Sequence, residues 1–331
     1  MVITLDRPLV LDGALGTQLE LAFSSELEKS NLNIQNHPLW SALVLLKKPQ
    51  LIEAIHLAYL KAGADIITTS TYQASKCGLQ KYGNLTDQEV SEIYASAVNV
   101  ALGAKRTYQQ EMADRNERAR EIFINGSVGP YGGFLANGAE YTGDYGSITL
   151  NELIEFHRPI VETYIKNDLV DLIGFETVPN FEEVKAICQL IKSIPKKKQY
   201  YISFNFKDEN HICDGTSISK VIEYVAANKT EDLICVGANC IQLSEATSII
   251  SNIFSVLATL SDVTLIIYPN AGLNYNLDTA KYTVDEVEAS VWGQNCKNWI
   301  NEYNAKIIGG CCGSGPRDVQ IIRTAIDNFY S

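Results

Sequence analysis

Residues 305–312 read AKIIGGCC. A short apolar run rich in β-branched residues ends there in two glycines and two adjacent cysteines. Continuous hydrophobicity of this length, without alternation, suits a strand buried on both faces of a parallel sheet. Seven runs of the same kind precede it: PLVLDG (8–13), DIITTSTY (65–72), IFINGSVGP (122–130), LVDLIGFET (169–177), YYISFNF (200–206), LICVGANC (233–240) and TLIIYPNAG (264–272). Helical patterns lie between them. PQLIEAIHLAYLKAG (49–63) opens on Pro49 and closes on Gly63, and TDQEVSEIYASAVNVALGAK (86–105) opens on Thr86 with Glu89 three residues on, a capping box. The remaining patterns cover 149–167, 180–192, 217–229, 243–260, 283–303 and 316–330, and Pro159 is expected to kink or split the first of these. Eight strands alternating with eight helices, with no polar linker, predict an α/β fold: a single (β/α)8 TIM barrel domain over residues 1–331. A doubly wound open sheet is the runner-up, weakened by the lack of GxGxxG after the first strand.

The totals narrow the function. A formal net charge of −12 over 331 residues argues against nucleic acid or anionic membrane as a partner. The one basic run, PKKK (195–198), reads as a solvated helix end. The N-terminus has no basic segment followed by a long apolar run, so neither signal peptide nor membrane span is expected. That predicts a cytoplasmic, reducing location, where cysteines act as core residues, ligands or catalysts.

In a (β/α)8 barrel the active site lies at the C-terminal ends of the strands. Here those ends carry Asp12-Gly13-Ala14, Thr68 to Thr71, Gly129-Pro130-Tyr131, Glu176-Thr177, Asn205, Asn239-Cys240, Tyr268-Pro269-Asn270 and Cys311-Cys312. Two carboxylates and three thiols therefore share one rim. Adjacent cysteines bridge each other only in a strained ring, so an ordinary disulfide is not expected. Cys240 on the sixth strand can reach Cys311 and Cys312 on the eighth. Three thiolates that leave one tetrahedral position open are the arrangement of a catalytic zinc. Other readings stay open: buried or redox-active thiols, a backbone phosphate site at the glycines, and salt-bridged rim roles for Asp12 and Glu176. Cys77, Cys188, Cys213, Cys235 and Cys296 lack ligand spacing, and His37, His56, His157 and His211 read as structural or surface residues.

LDGALGTQLE, GSVGPYGGFLANGAEYTGDY, GFETVPN, GANC, YPNAG and GGCCG occur in this order from residue 11 to residue 313. Together they resemble the homocysteine S-methyltransferases, of the short zinc-dependent type that uses S-methylmethionine or S-adenosylmethionine. The resemblance implies one zinc on Cys240, Cys311 and Cys312, with the sulfur of homocysteine as fourth ligand and methionine as product. It implies that Asp12 and Glu176 hold the substrate amino group and that the N–H groups of Gly13 and Ala14 face its carboxylate. Thr71 and Asn239 are expected to line the site. Leu273 stands where relatives carry an acidic residue, and the segments EKSN and MADRNERAREIF also depart from the pattern.

A sulfonium donor needs aromatic faces and negative charge, and the loop after the third strand offers Tyr131, Tyr141, Tyr145, Asp144 and Glu140. A Tyr- and Gly-rich surface loop is the competing reading of that segment. Competing functions are methylation of a related thiol or selenol such as selenocysteine, a phosphate-binding barrel with Glu176 as base, and a non-catalytic zinc or redox barrel. A chain that stops after the eighth helix is expected to lack the further domains of folate-dependent relatives.

Overall fold

The computed structural model describes residues 2–35, 37–258, 263–276, 281–284 and 286–331, with backbone alone at 273–276 and 281–284. Eight parallel strands form one sheet: β1 (Leu9–Val10), β2 (Ile66–Thr68), β3 (Phe123–Val128), β4 (Leu172–Val178), β5 (Tyr200–Phe204), β6 (Leu233–Gln242), β7 (Thr264–Asn270) and β8 (Ala305–Ile308). Their spatial order is β1-β8-β7-β6-β5-β4-β3-β2, and Leu11 pairs in parallel with Ile66 to bring the two ends together. The predicted (β/α)8 barrel is the observed fold. Its outer helices are α1 (Pro49–Ala62), α2 (Asp87–Asp114), α3 (Leu150–Lys166), α4 (Phe181–Ser193), α5 (Ile218–Asn228), α6 (Leu243–Leu257), α7 (Ala289–Tyr303) and α8 (Pro316–Phe329).

The seam between β1 and β2 is short, and two carboxylates extend it. Asp65 and Asp12 give their N–H groups to Val10 O and Ile66 O at 2.8 and 3.0 Å. Their side chains then accept Val10 N–H at 2.9 Å and Thr68 N–H at 2.7 Å, where a longer strand would have offered carbonyls. Asp65 is buried against the guanidinium of Arg323, with Arg120 Nε 3.5 Å away.

Ile66, Phe123, Leu172, Tyr201, Cys235, Ile266 and Ile307 form an apolar cluster from the N-terminal halves of the strands. A larger cluster seals the strands against the helices. Polar side chains are buried towards the other end: Asn125, Ser127, Ser203, Asn239, Asp12 and Glu176. Burial at that end requires hydrogen-bond partners for each of them, and those partners shape the site.

Three local expectations meet the structure. The capping box of α2 is present at Thr86 and Glu89, and the helix runs on to Asp114, past the expected residue 105. Pro159 does not split α3; the carbonyl left without its N–H belongs to Glu155, an exposed residue within reach of solvent. The seventh helix begins at Ala289 and not at 283, because the β-prone KYTV of Lys281–Val284 pairs antiparallel with Leu273–Asn276. Leu273 opens that hairpin, and its side chain is outside the described atoms. Within PKKK, Lys197 Nζ caps the end of α4 by donating to Ile191 O at 2.6 Å, Lys198 Nζ donates to Asn167 O at 2.6 Å beyond α3, and Lys196 pairs with Asp168 at 3.0 Å. Among the described residues no helix is long and apolar enough to cross a membrane.

Candidate active site

Cys240, Cys311 and Cys312 come together at the C-terminal mouth of the barrel, their Sγ atoms all within 4.8 Å of one another. Cys240 Sγ and Cys312 Sγ are 3.9 Å apart. A tetrahedral zinc with bonds of about 2.3 Å needs sulfurs about 3.8 Å apart, so the spacing fits a metal of this size. Thiolate softness also favours zinc over a hard cation. The three thiols therefore have the spacing of a metal site. All eight cysteines are free thiols.

Each sulfur is placed by a distortion. Cys240 sits at φ +56°, inside a register shift of β6 against β7 between Asn239 and Gln242. A left-handed residue in a strand breaks the in-out alternation and re-aims its side chain, at a cost of about 1–3 kcal/mol for a non-glycine. Cys311 and Cys312 lie on a turn after β8. Cys311 N–H donates to Pro269 O at 2.7 Å, Cys312 O accepts from Ala271 at 2.9 Å, and Ser314 Oγ donates to Cys311 O at 2.7 Å. Gly309 is needed where the chain passes β1: a Cβ there would lie 2.7 Å from Leu11 Cβ and 2.9 Å from Asp12 O. Hydrogen bonding from Cys311 and Cys312 lowers the pKa of the Cys240 thiol well below its ordinary value, and the same contact to Cys240 raises theirs.

Asp12 and Glu176 face the same space from β1 and β4. Burial pushes both carboxyls up to about 7, in part against the hydrogen bonds that Thr68 gives Asp12 and Ser127 gives Glu176. Thr68 Oγ1 donates to Asp12 Oδ1 at 2.9 Å; Ser127 Oγ donates to Glu176 Oε1, and Tyr268 OH to Glu176 Oε2 at 3.3 Å. Nearby negative charge adds to the upward shift on Glu176. A cation arriving between the two would reverse it.

Thr177 repeats the device of Cys240: φ +58°, at a register shift of β4 against β5. Asn239 ties the two strands together. Its Oδ1 accepts Thr177 N–H at 2.8 Å and Ser203 Oγ–H at 2.7 Å, and its Nδ2 donates to Thr177 Oγ1 at 2.8 Å. One amide thus links the residue after Glu176 to the residue before Cys240.

These groups line one cavity of about 570 Å³, within the range of small-molecule sites. Gly13, Ala14, Asn239 and Tyr141 belong to its wall, as expected. Five residues depart from the roles expected of them. Thr71 is not on the wall; it is buried beneath, its Oγ1 donating to Ser127 O at 2.8 Å and meeting Tyr164 OH at 2.6 Å. Tyr131 and Tyr145 pack edge to face at 5.3 Å away from the cavity, and Tyr145 OH donates to the buried Glu183 at 2.6 Å. Asp144 is exposed and accepts Gly146 N–H at 3.0 Å. Ala14 N–H is already engaged by Ser314 O at 3.2 Å, which leaves Gly13 as the amide of that pair that can face a ligand.

Tyr72 and Trp40, which carried no sequence signal, and His37, expected to be structural or at the surface, also line the cavity. His37 Nδ1 accepts Leu39 N–H at 3.1 Å. No motif marks these residues; they arrive on long connections whose path is set by packing. Trp40 stacks over Gly16, where any Cβ would collide with its ring.

A (β/α)8 barrel carrying three thiols and two buried carboxyls at the catalytic end of its strands defines an enzyme scaffold whose thiol cluster has the spacing of a metal site. The profile of the homocysteine S-methyltransferase family matches residues 9–326. The homocysteine S-methyltransferase of Escherichia coli (strain K12) is 32% identical over 315 residues, 95% of this chain and 94% of that protein. The homocysteine S-methyltransferase YbgG of Bacillus subtilis (strain 168) is 35% identical over 314 residues, 95% and 93%. The homocysteine methyltransferase MmuM from Escherichia coli superimposes in its oxidized form with a TM-score of 0.77 at 32% identity, over 96% of this chain and 95% of that one. Its metallated form gives 0.75 at 31% identity, over 96% of each chain. The chain belongs to the homocysteine S-methyltransferase family.

Proposed function

We infer that this barrel moves a methyl group from a sulfonium donor, S-methylmethionine or S-adenosylmethionine, to the sulfur of homocysteine, giving methionine. The observation that carries the reading is the convergence of three Sγ atoms within 4.8 Å and two buried carboxyls on one cavity. Zinc is the metal that the donor set fits, held by Cys240, Cys311 and Cys312; when bound it supplies the acidity that keeps a substrate thiol as thiolate near neutral pH. Free thiol alone would be only roughly 3% ionised at pH 7.

The protein's own groups do the rest. Asp12 and Glu176 accept the ammonium of homocysteine, and Gly13 N–H faces its carboxylate. Ser127 and Tyr268 fix the carboxylate of Glu176, and Thr68 fixes Asp12, so the amino acid enters a preformed grip. The thiolate sulfur then attacks the methyl carbon. The bond from that carbon to the donor sulfonium breaks, and its electron pair stays on the departing sulfur as a neutral thioether. No proton moves in this step, so no general base is needed. In-line positioning by the grip is worth up to about 7–11 kcal/mol of the barrier in favourable cases.

Zinc-loaded protein with homocysteine is expected to form methionine from one or both donors, and kcat/KM ranks them. Selenocysteine in competition with homocysteine identifies the preferred acceptor. Chelation, or Cys240→Ser, should bring zinc well below one per chain and reduce turnover by about a hundredfold or more. Turnover that survives zinc removal would instead favour a barrel using Glu176 as a proton-abstracting base.

A further inference from the structure

We propose that Glu140 is the counter-charge for the cationic methyl donor and sets the preference for a sulfonium over a neutral donor. The proposal rests on the methyl-transfer reading above. Glu140 lines the cavity beside Cys240, Cys311, Cys312, Tyr72 and Tyr141, on the loop that follows β3. Its Oε2 is buried and has no hydrogen-bond partner, and no described lysine or arginine pairs with it. Asp12 and Glu176, by contrast, have their oxygens oriented by Thr68, Ser127 and Tyr268. A half-buried carboxylate with an orphan oxygen, facing a thiol cluster, is costly in the empty protein. A cation in the cavity is the partner that removes the cost.

The loop is not free to swing this carboxylate out to water. Asn205 Nδ2 donates to Glu140 O and Asn180 Nδ2 to Gly143 O, both at 2.9 Å. Glu183, fully buried, accepts Tyr131 N–H at 2.6 Å and Tyr145 OH at 2.6 Å, and so anchors both ends of the segment. Gly132 packs so closely on the segment that a Cβ there would lie 2.5 Å from Glu140 N. The backbone that carries this carboxylate is therefore held at the cavity. The sulfonium is cationic only before transfer, so the attraction to Glu140 is lost when the thioether forms, which favours product release. Among the tyrosines expected on this loop, Tyr141 stays at the cavity, its OH 3.9 Å from Cys240 Sγ.

The test compares wild type, Glu140→Gln and Glu140→Asp, each zinc-loaded, with S-methylmethionine and homocysteine varied separately. Glu140→Gln should raise the donor KM by about tenfold or more, the scale of a lost charge-assisted contact, and leave the homocysteine KM within about twofold. Glu140→Asp, which keeps the charge, should recover most of the loss. Equal donor KM in wild type and Glu140→Gln would overturn the proposal, as would parallel changes in both KM values. The cobalt-substituted proteins should have matching absorption spectra; an altered spectrum in Glu140→Gln would make Glu140 a metal ligand and overturn it too. If wild type forms no methionine from either sulfonium donor, the methyl-transfer reading fails first, and the proposal with it.

Discussion

Asp12 and Glu176 are acids that the fold holds near pKa 7 through burial. Their folded values lie above the ordinary carboxylate range, so the folded state favours the protonated forms. Stability from this source is complete below about pH 4 and is lost as pH rises towards 7. For Asp12 the loss between pH 5.5 and 8 is on the order of 2 kcal/mol. Asp12→Asn keeps an acceptor for Thr68 N–H but removes the titration. Its melting temperature should therefore fall less than that of wild type between those two pH values, while its homocysteine KM at pH 8 rises by about tenfold or more. Parallel melting profiles for the two proteins would show that Asp12 carries no such burden. The positions of Asp12, Glu176 and the three cysteines were legible from strand-end counting. The altered acidity was not, because it comes from depth of burial, partly offset by hydrogen bonds from Thr68, Ser127 and Tyr268, all assembled from distant parts of the chain.

At the scale of elements, the site depends on two interrupted strands. Thr177 and Cys240 both adopt left-handed backbone, and Asn239 joins them through Thr177. Asn239→Ala leaves Thr177 N–H and Ser203 without their partner in a buried layer, which should cost about 1–3 kcal/mol of stability. It should also weaken zinc binding by about tenfold, since the strand end that carries Cys240 loses its brace. Competition for zinc with a chromophoric chelator measures the second effect; unchanged affinity in a destabilised variant would confine Asn239 to a folding role. The loop after β3 shows why sequence neighbours part company. Tyr131 and Tyr145 turn inward to Phe156 and Glu183, whereas Glu140 and Tyr141 reach the cavity. Spacing in a loop has no fixed period, so nothing in the residues themselves separates the two pairs.

For the whole molecule, the barrel closes at its thinnest seam through Asp65. That carboxylate accepts Val10 N–H and lies against Arg323 and Arg120. Asp65→Asn leaves Arg120 without its anion and Arg323 with only the exposed Asp327, and should lower stability by about 2–4 kcal/mol. Because Asp65 precedes β2 and the thiols sit at the opposite strand ends, folded Asp65→Asn should still bind zinc at one per chain. Denaturation and metal analysis on the same preparation check both parts; loss of zinc from folded protein would tie the seam to the site.

The eight barrel strands and their outer helices were legible in local chemistry: β-branched apolar runs, the capping box at Thr86, and thiols or carboxyls placed where strands end. That was enough for the barrel and for which residues gather at its mouth, since a parallel barrel sends all strand ends to one rim. Only the tertiary structure decided which side chains touch the cavity, that Thr71 supports it from below, and that Ala14 N–H is taken by Ser314. It also decided which carboxylate oxygen is left unpaired, and that oxygen belongs to Glu140. Periodicity specifies a side chain's direction inside a strand or helix. In loops and at bulges direction follows from hydrogen bonds made by residues far away in the chain, and those exist only once the barrel has closed.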